Sequence, residues 1–105
     1  VRMTDETSNN LSDALEADRI VAKAFPNPMS ESCTIEFAVA DYTSAVTVEV
    51  YSMNGEKVAE LFRGDVNGGE IKRVQFDASL LSSGIYVYRI TAGDRVRYDK
   101  LIINR

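Results

Sequence analysis

The feature of this sequence that most restricts its fold is a repeat of apolar side chains at every second position, found along most of the chain. The clearest run of alternating apolar residues is Cys33, Ile35, Phe37 and Val39. Successive side chains of a β-strand point to opposite faces, so this spacing predicts a half-buried strand, whereas an amphipathic helix needs a longer period. The same alternation in residues 46–50 and 72–77 predicts further strands and argues against a helical fold.

Turn signals between these runs indicate how the strands are connected. Asn54-Gly55 and a Gly-Asp pair at 93–94 are typical of tight β-hairpins, because these residue types adopt the positive φ angles that such turns need. They predict antiparallel neighbours, with Met53 opposite Glu56 in the first hairpin.

Two later segments refine the strand predictions. Residues 85–92 are apolar in both phases of the alternation, which predicts a central strand with both faces covered. The last strand carries apolar residues in two phases, Val96 and Tyr98 in one and Leu101 and Ile103 in the other. A β-bulge near Asp99 or Lys100 would bring the two phases onto one face.

These segments predict an all-β fold, a seven-stranded antiparallel immunoglobulin-like β-sandwich, with a closed barrel as the alternative. The Cys-Trp-Cys core of antibody domains is absent, since the chain has no tryptophan and one cysteine.

We expect the sandwich over residues 22–105. Residues 1–21 are polar and acidic, and we expect them to be a linker from a preceding domain, with at most a helical turn or two in residues 10–18. The chain begins with Val, so we expect it to be part of a longer protein with any export signal upstream.

A pair of prolines precedes the longest alternating run. Pro26 and Pro28 each fix φ near about −65° and lack an amide donor, and Asn27 lies between them. The residue before each proline is also pushed out of the helical conformation. The pair is therefore predicted to end the first strand and turn the chain toward the second, where no ladder amide is needed.

Composition removes several classes of function. The chain has no histidine, the usual general base and commonest zinc ligand, and its acids lie in turns or on strand faces predicted to be solvated, such as Glu49. We therefore expect no enzyme activity, metal or cofactor. A net charge of −4 disfavours nucleic acid as a partner, and no apolar run reaches the ~20 residues of a membrane span. Cys33 alternates with apolar residues and is interpreted as a small buried hydrophobe.

The charge is unevenly distributed along the chain. Residues 1–24 sum to −2, residues 25–88 to −5 and residues 89–105 to +3. The cationic end is either a surface that faces a partner or, as is more common, a set of solvated charges that protect an edge strand.

Two further patterns have both a functional and a structural explanation. Arg63-Gly64-Asp65 spells the integrin-binding tripeptide, but three letters inside a Gly- and Asp-rich turn are expected by chance. Three tyrosines would suit stacking against a sugar, but aromatic residues on central strands are more often part of the core: Tyr51, Tyr86 and Tyr88.

Short motifs follow one another in a fixed order along residues 22–105. They are "FPNP" at 25–28, "VEVYSMNGEKV" at 48–58, a Gly pair at 68–69, "FDAS" at 76–79, "LLSSGIYVYRI" at 80–90, "GDR" at 93–95 and "DKLIINR" at 99–105. Each motif alone is weak. In this order, and at a chain end, they resemble the type A C-terminal sorting domains of the type IX secretion system of Gram-negative bacteria.

The resemblance implies a C-terminal secretion signal that directs its cargo protein from the periplasm across the outer membrane. Its partners would be the outer-membrane secretion machinery and a surface sortase-like peptidase that cuts in the upstream linker, and the cargo would reach the cell surface or the medium. The family's structural motif positions fall here on Pro26, Asn27, Pro28, Gly55, Gly84 and Tyr86. The candidate recognition residues are Lys100, Leu101, Ile102 and Ile103, in a last strand that we expect to be recognised partly through edge pairing.

The alternative function is an accessory module of the immunoglobulin or fibronectin kind that binds carbohydrate or a cell surface beside a catalytic domain. Aromatic residues exposed together on one sheet face would favour it. A sandwich fold alone does not choose between the two functions, because such folds carry many.

Overall fold

The computed structural model describes residues 20–105, and within them it has seven strands and no helix. The strands are β1 (Ile20–Phe25), β2 (Ser32–Val39), β3 (Thr43–Ser52), β4 (Lys57–Val66), β5 (Lys72–Asp77), β6 (Gly84–Ala92) and β7 (Arg95–Ile103). This part of the chain therefore contains no helix that could cross a membrane.

The strands form two sheets that enclose one core. One sheet has the order β1-β2-β5 and the other the order β4-β3-β6-β7, and every neighbouring pair is antiparallel. The core contains buried side chains from both sheets, among them Phe37, Phe76, Tyr88, Ile90 and Leu101. The predicted β-sandwich is therefore confirmed, as is the central position of β6. The barrel alternative is wrong, because the described strands remain in two separate sheets.

The first strand begins at Ile20, two residues before the domain boundary expected from the sequence. Ile20 and Val21 are both buried, and Arg97 Nη1 donates to the carbonyl of Ile20 at 3.1 Å. The sandwich therefore includes both residues. The rest of the expected linker, residues 1–19, and the helical turn expected in residues 10–18 lie outside the described residues.

Both predicted hairpins form, but only one has the predicted register. The second closes around the Gly-Asp pair at 93–94 as predicted. In the first, Ser52 N–H donates to Glu56 O at 2.8 Å, so the predicted pairing of Met53 with Glu56 is wrong. The reason is a three-residue turn, which ends with Gly55 at a φ of 90° and replaces the expected two-residue turn.

The last strand, β7, is continuous and has no bulge. It pairs with β6 along its whole length without a register shift. The bulge predicted near Asp99 or Lys100 is therefore wrong. The two apolar phases simply belong to different faces, since Leu101 is buried in the core whereas Val96 and Tyr98 are exposed on the outer face.

Candidate functional site

The four candidate recognition residues lie on β7, an edge strand of the four-stranded sheet, and they point to two different sides. Leu101 and Ile103 are fully buried in the core. Lys100 is exposed on the outer face, and Ile102 is half-buried there. The structure therefore brings only Lys100 and Ile102 to a surface that a partner can contact.

The free edge of β7 is covered by the residues around the two prolines, 25–29, which we call the proline segment. Within it, Asn27 Nδ2 donates to Lys100 O at 3.0 Å, and Asn27 Oδ1 accepts from Ile102 N–H at 2.9 Å. One side-chain amide thus makes both hydrogen bonds that a peptide group of a neighbouring strand would make. The turn made by Pro26 and Pro28 was predicted from the sequence, but this contact with β7 was not.

Backbone pairing by Met29 continues the contact. Met29 N–H donates to Ile102 O, and Asn104 N–H donates to Met29 O, both at 2.8 Å, in a short parallel bridge. The Met29 side chain is buried in the core and holds the segment in place. The edge of β7 over residues 100–104 is therefore closed by the domain itself. Edge pairing by a partner at this position would require the proline segment to leave.

Arg105 fixes the segment that follows β7. Its guanidinium donates to the carbonyl oxygens of Ser30 at 3.1 Å, of Leu81 at 2.8 Å, and of Ala78. Its backbone N–H donates to Ser83 Oγ at 3.2 Å. The five N–H donors of an arginine suit several carbonyl groups at once. No sequence signal indicates this contact, because the acceptors lie in two segments that are distant in the chain.

The remaining motif positions shape the loops next to this end of β7. Gly55 has a φ of 90° in the β3–β4 hairpin, and Gly84 has a φ of 152° at the start of β6, angles that residues with a Cβ rarely adopt. Tyr86 is buried, and its hydroxyl donates to Ser82 O at 2.9 Å, which ties the loop before β6 to the core. The structure thus gives all three residues a role in local backbone geometry.

A charged cluster covers part of the outer face of the four-stranded sheet. Glu49 is only 7% exposed, so the solvated position predicted for it is wrong. Its carboxylate accepts from Arg89 Nη2 at 2.7 Å, from the Tyr51 hydroxyl at 3.0 Å and from Lys57 Nζ at 3.3 Å. The hydrogen bond from Arg89, followed by those from Tyr51 and Lys57, holds the pKa of Glu49 below its ordinary value. The carboxylate is therefore charged at neutral pH and fully engaged within the domain.

The single cysteine is buried, and the acids form no metal-binding group within the described residues. Burial raises the pKa of the Cys33 thiol to about 11, so the thiol is protonated at neutral pH. This agrees with the prediction of a buried hydrophobe, since a nucleophilic cysteine needs a lowered pKa. In residues 20–105, no three His, Cys, Asp or Glu side chains are grouped so that they could hold a metal ion.

The two weaker motifs lie within strands of the four-stranded sheet. The Arg-Gly-Asp tripeptide, predicted in a turn, lies inside β4, where Asp65 accepts from the Tyr42 hydroxyl at 2.9 Å. Of the three tyrosines that could have stacked on a sugar, Tyr86 and Tyr88 are in the core. The third, Tyr51, lies on the opposite face of the same sheet with the Arg89 guanidinium 4.8 Å from its ring centre. The trio is therefore not a shared platform.

Comparison with known proteins gives a match over the sandwich. A family model described as the secretion system C-terminal sorting domain matches residues 23–104. The matched range includes the second half of β1, the proline segment and all of β2 to β7. No curated protein matches the chain.

Proposed function

This chain belongs to the secretion system C-terminal sorting domain family, and from that membership we propose how it acts as a type IX secretion signal. Such a signal directs export across the outer membrane to the cell surface or the medium, and it interacts with the secretion machinery. We propose that the machinery recognises β7 in the folded domain. The contacts would be made by Lys100 and Ile102, while Leu101 and Ile103 hold the strand in place from inside.

This proposal rests on one observation: contacts within the domain hold β7 at its inner face and at both edges, and leave its outer face open. Its inner face packs in the core, one edge pairs with β6, and the other edge is bonded by Asn27 and Met29. Arg105 fixes the residues that follow. A strand held in this way presents one fixed outer face, which suits a signal that must be recognised without chemical reaction.

We propose in addition that residues 1–19 form the linker in which a sortase-like surface peptidase cuts. A peptidase needs an exposed, extended substrate, and this segment is polar and acidic in sequence. The burial of Ile20 and Val21 supports a cut before β1, since cleavage within the strand would remove core side chains. The domain itself is proposed to have no catalytic activity, because its one thiol is buried and its chain has no histidine.

A reporter fusion tests the proposal. The reporter carries a periplasmic export signal at its amino terminus and residues 1–105 at its carboxyl terminus, in a host that has the type IX machinery. We expect the reporter on the cell surface or in the medium, and in the periplasm when residues 1–105 are omitted. Sequencing of the released domain is expected to give a first residue at or before Ile20. Retention of the fused reporter in the periplasm, with the domain folded, would contradict the proposal.

A further inference from the structure

The outer face of the four-stranded sheet also carries an apolar strip with a single lysine in it. We call this set of residues the outer strip: Ile85, Val87, Val96, Tyr98, Lys100 and Ile102. Ile85, Val96 and Tyr98 are 44%, 48% and 60% exposed. Single apolar side chains are common on a protein surface, but a contiguous exposed group is typical of a contact site.

Alternate positions on β7 and pairing with β6 make the outer strip contiguous, and Arg89, opposite Tyr98, lies at its border. Ile85 lies opposite Ile102, and Val87 lies opposite Lys100. The outward peptide groups of Lys100 and Ile102 bond the proline segment and not β6, so these are the non-hydrogen-bonded pairs, in which facing side chains lie closest. Lys100 therefore projects from a surface made by apolar neighbours.

Lys100 has no acid to pair with on this face. None of the ion pairs within residues 20–105 includes it. Two acids of the same sheet face, Glu49 and Glu60, are already held by other basic side chains. The domain thus leaves one cation, surrounded by apolar side chains, without the carboxylate that would complement it.

We propose that the outer strip is the surface on which the secretion machinery docks, and that the partner presents apolar side chains around one carboxylate that pairs with Lys100. The inference rests on the proposed function and names the chemistry of the partner that β7 contacts. Apolar contacts around the pair would exclude water, and the charge pair would fix the position of the partner. Ile85, Val87 and Tyr98 then belong to the recognition surface although they lie outside the terminal motif.

Two other occupants match the outer strip less well. In a symmetric dimer, the same patch on both copies would meet, and two Lys100 side chains would be buried without an acid. An anionic membrane surface is recognised by clusters of roughly four to eight basic residues, whereas the outer strip has one. A protein with one acidic group in an apolar surface matches both the charge and the contact area.

Charge reversal in the full reporter fusion tests the inference. Lys100→Glu is expected to lower the exported reporter by about tenfold or more, because two acids would then face each other in the complex. Lys100→Arg keeps the charge and is expected to restore most of the export. The control is Lys23→Glu, which makes the same charge change on the outer face of the three-stranded sheet. It also removes the contact with Glu36, so export is compared for folded chains only and is expected to be unchanged. Thermal unfolding of each purified chain shows whether it is folded.

A photo-crosslinking amino acid in place of Tyr98 identifies the occupant. We expect an adduct with an outer-membrane protein of the machinery, at a peptide that contains Asp or Glu. An adduct with lipid or with a second copy of this chain would overturn the inference, as would normal export of a folded Lys100→Glu chain. Failure of the unmodified fusion to be exported would instead contradict the proposed function, so the two failures are distinguishable.

Discussion

On the outer face of the three-stranded sheet, polar side chains pair with one another across the strands. Glu36 contacts Lys23 at 3.6 Å and Arg73 at 2.9 Å, and Gln75 donates to Thr34 at 2.8 Å. On the β6 and β7 side of the four-stranded sheet, the outer strip instead exposes apolar side chains around Lys100. Both regions cover the same core, but the first is mostly polar, with Phe25 exposed at its edge, whereas the second is mostly apolar.

This difference separates what the domain needs for folding from what it offers to a partner. Cross-strand polar pairs are the usual composition of a solvated sheet face. The exposed parts of these apolar side chains gain nothing from folding, so folding alone does not require apolar residues there. The proposed contact with another molecule would account for their presence beside Lys100.

The largest expected effect is on stability, and it is measured by truncating two adjacent residues of β7 that point to opposite faces. Leu101→Ala removes a fully buried side chain and is expected to lower the free energy of unfolding by about 2 to 5 kcal/mol. Ile102→Ala, on the outer strip, is expected to change it by less than about 1 kcal/mol and to weaken export. Chemical denaturation measures both values. Equal losses of stability would show that the outer strip packs as part of the folded domain and would remove the distinction between the faces.

A smaller effect on stability is expected when an ion pair is removed from either outer face. Arg89→Ala leaves the buried Glu49 carboxylate short of its strongest donor, and we expect a loss of about 1.5 to 3 kcal/mol in the free energy of unfolding. Arg73→Ala removes the donor to Glu36 from an arginine whose side chain is 61% exposed, and we expect less than about 1 kcal/mol. Losses of the same size would indicate that the two faces are equally solvated.

The Arg89 effect also has a pH dependence with a defined sign. Because the pKa of Glu49 is lowered in the folded domain, its stabilisation is present above the unfolded pKa and is lost as the pH falls through the folded value. The difference in stability between the parent chain and Arg89→Ala is therefore expected to shrink on acidification, as measured by denaturation at a series of pH values. A difference that grows at low pH would contradict the role given to Glu49.

Most of the fold could be predicted from the sequence, because alternation and turn residues are local signals. The strand runs, the position of β6 and the turn at Pro26 and Pro28 all follow from residues that are neighbours in the chain. The first hairpin register could not be predicted, since Asn54-Gly55 fits both a two-residue and a three-residue turn. The bulge near Asp99 was predicted wrongly because apolar residues in two phases were assumed to face one core.

The candidate site was harder to predict, because it depends on contacts between distant segments. Asn27 and Lys100 are joined across the domain, and no local pattern pairs a proline turn with the last strand. The split of the terminal motif into buried and exposed residues does follow from alternation, once the strand is known to be straight. The apolar neighbours of Lys100 on β6 were identified only from the strand register.

The smallest expected effect comes from opening the edge of β7 that Asn27 closes. It tests whether the outer face is the surface of β7 that remains open to a partner. Asn27→Ala removes both bonds of the side-chain amide, and we expect the free energy of unfolding to fall by about 1 to 2 kcal/mol. Amide hydrogen exchange at Ile102 is expected to become faster, since its N–H loses its acceptor. Asn67→Ala, at an exposed turn, is the matched control and is expected to change neither value.

Asn27→Asp separates the two bonds, because a carboxylate still accepts from Ile102 N–H but cannot donate to Lys100 O. Exchange at Ile102 is therefore expected to stay slower in this variant than in Asn27→Ala. Unchanged exchange in Asn27→Ala would contradict the edge contact.

Export of the Asn27→Ala chain then tests whether the partner recognises the edge of β7 or its outer face. A folded Asn27→Ala chain that is exported normally, when Lys100→Glu is not, places recognition on the outer face, whereas a gain of export on opening the edge would favour strand pairing with the partner.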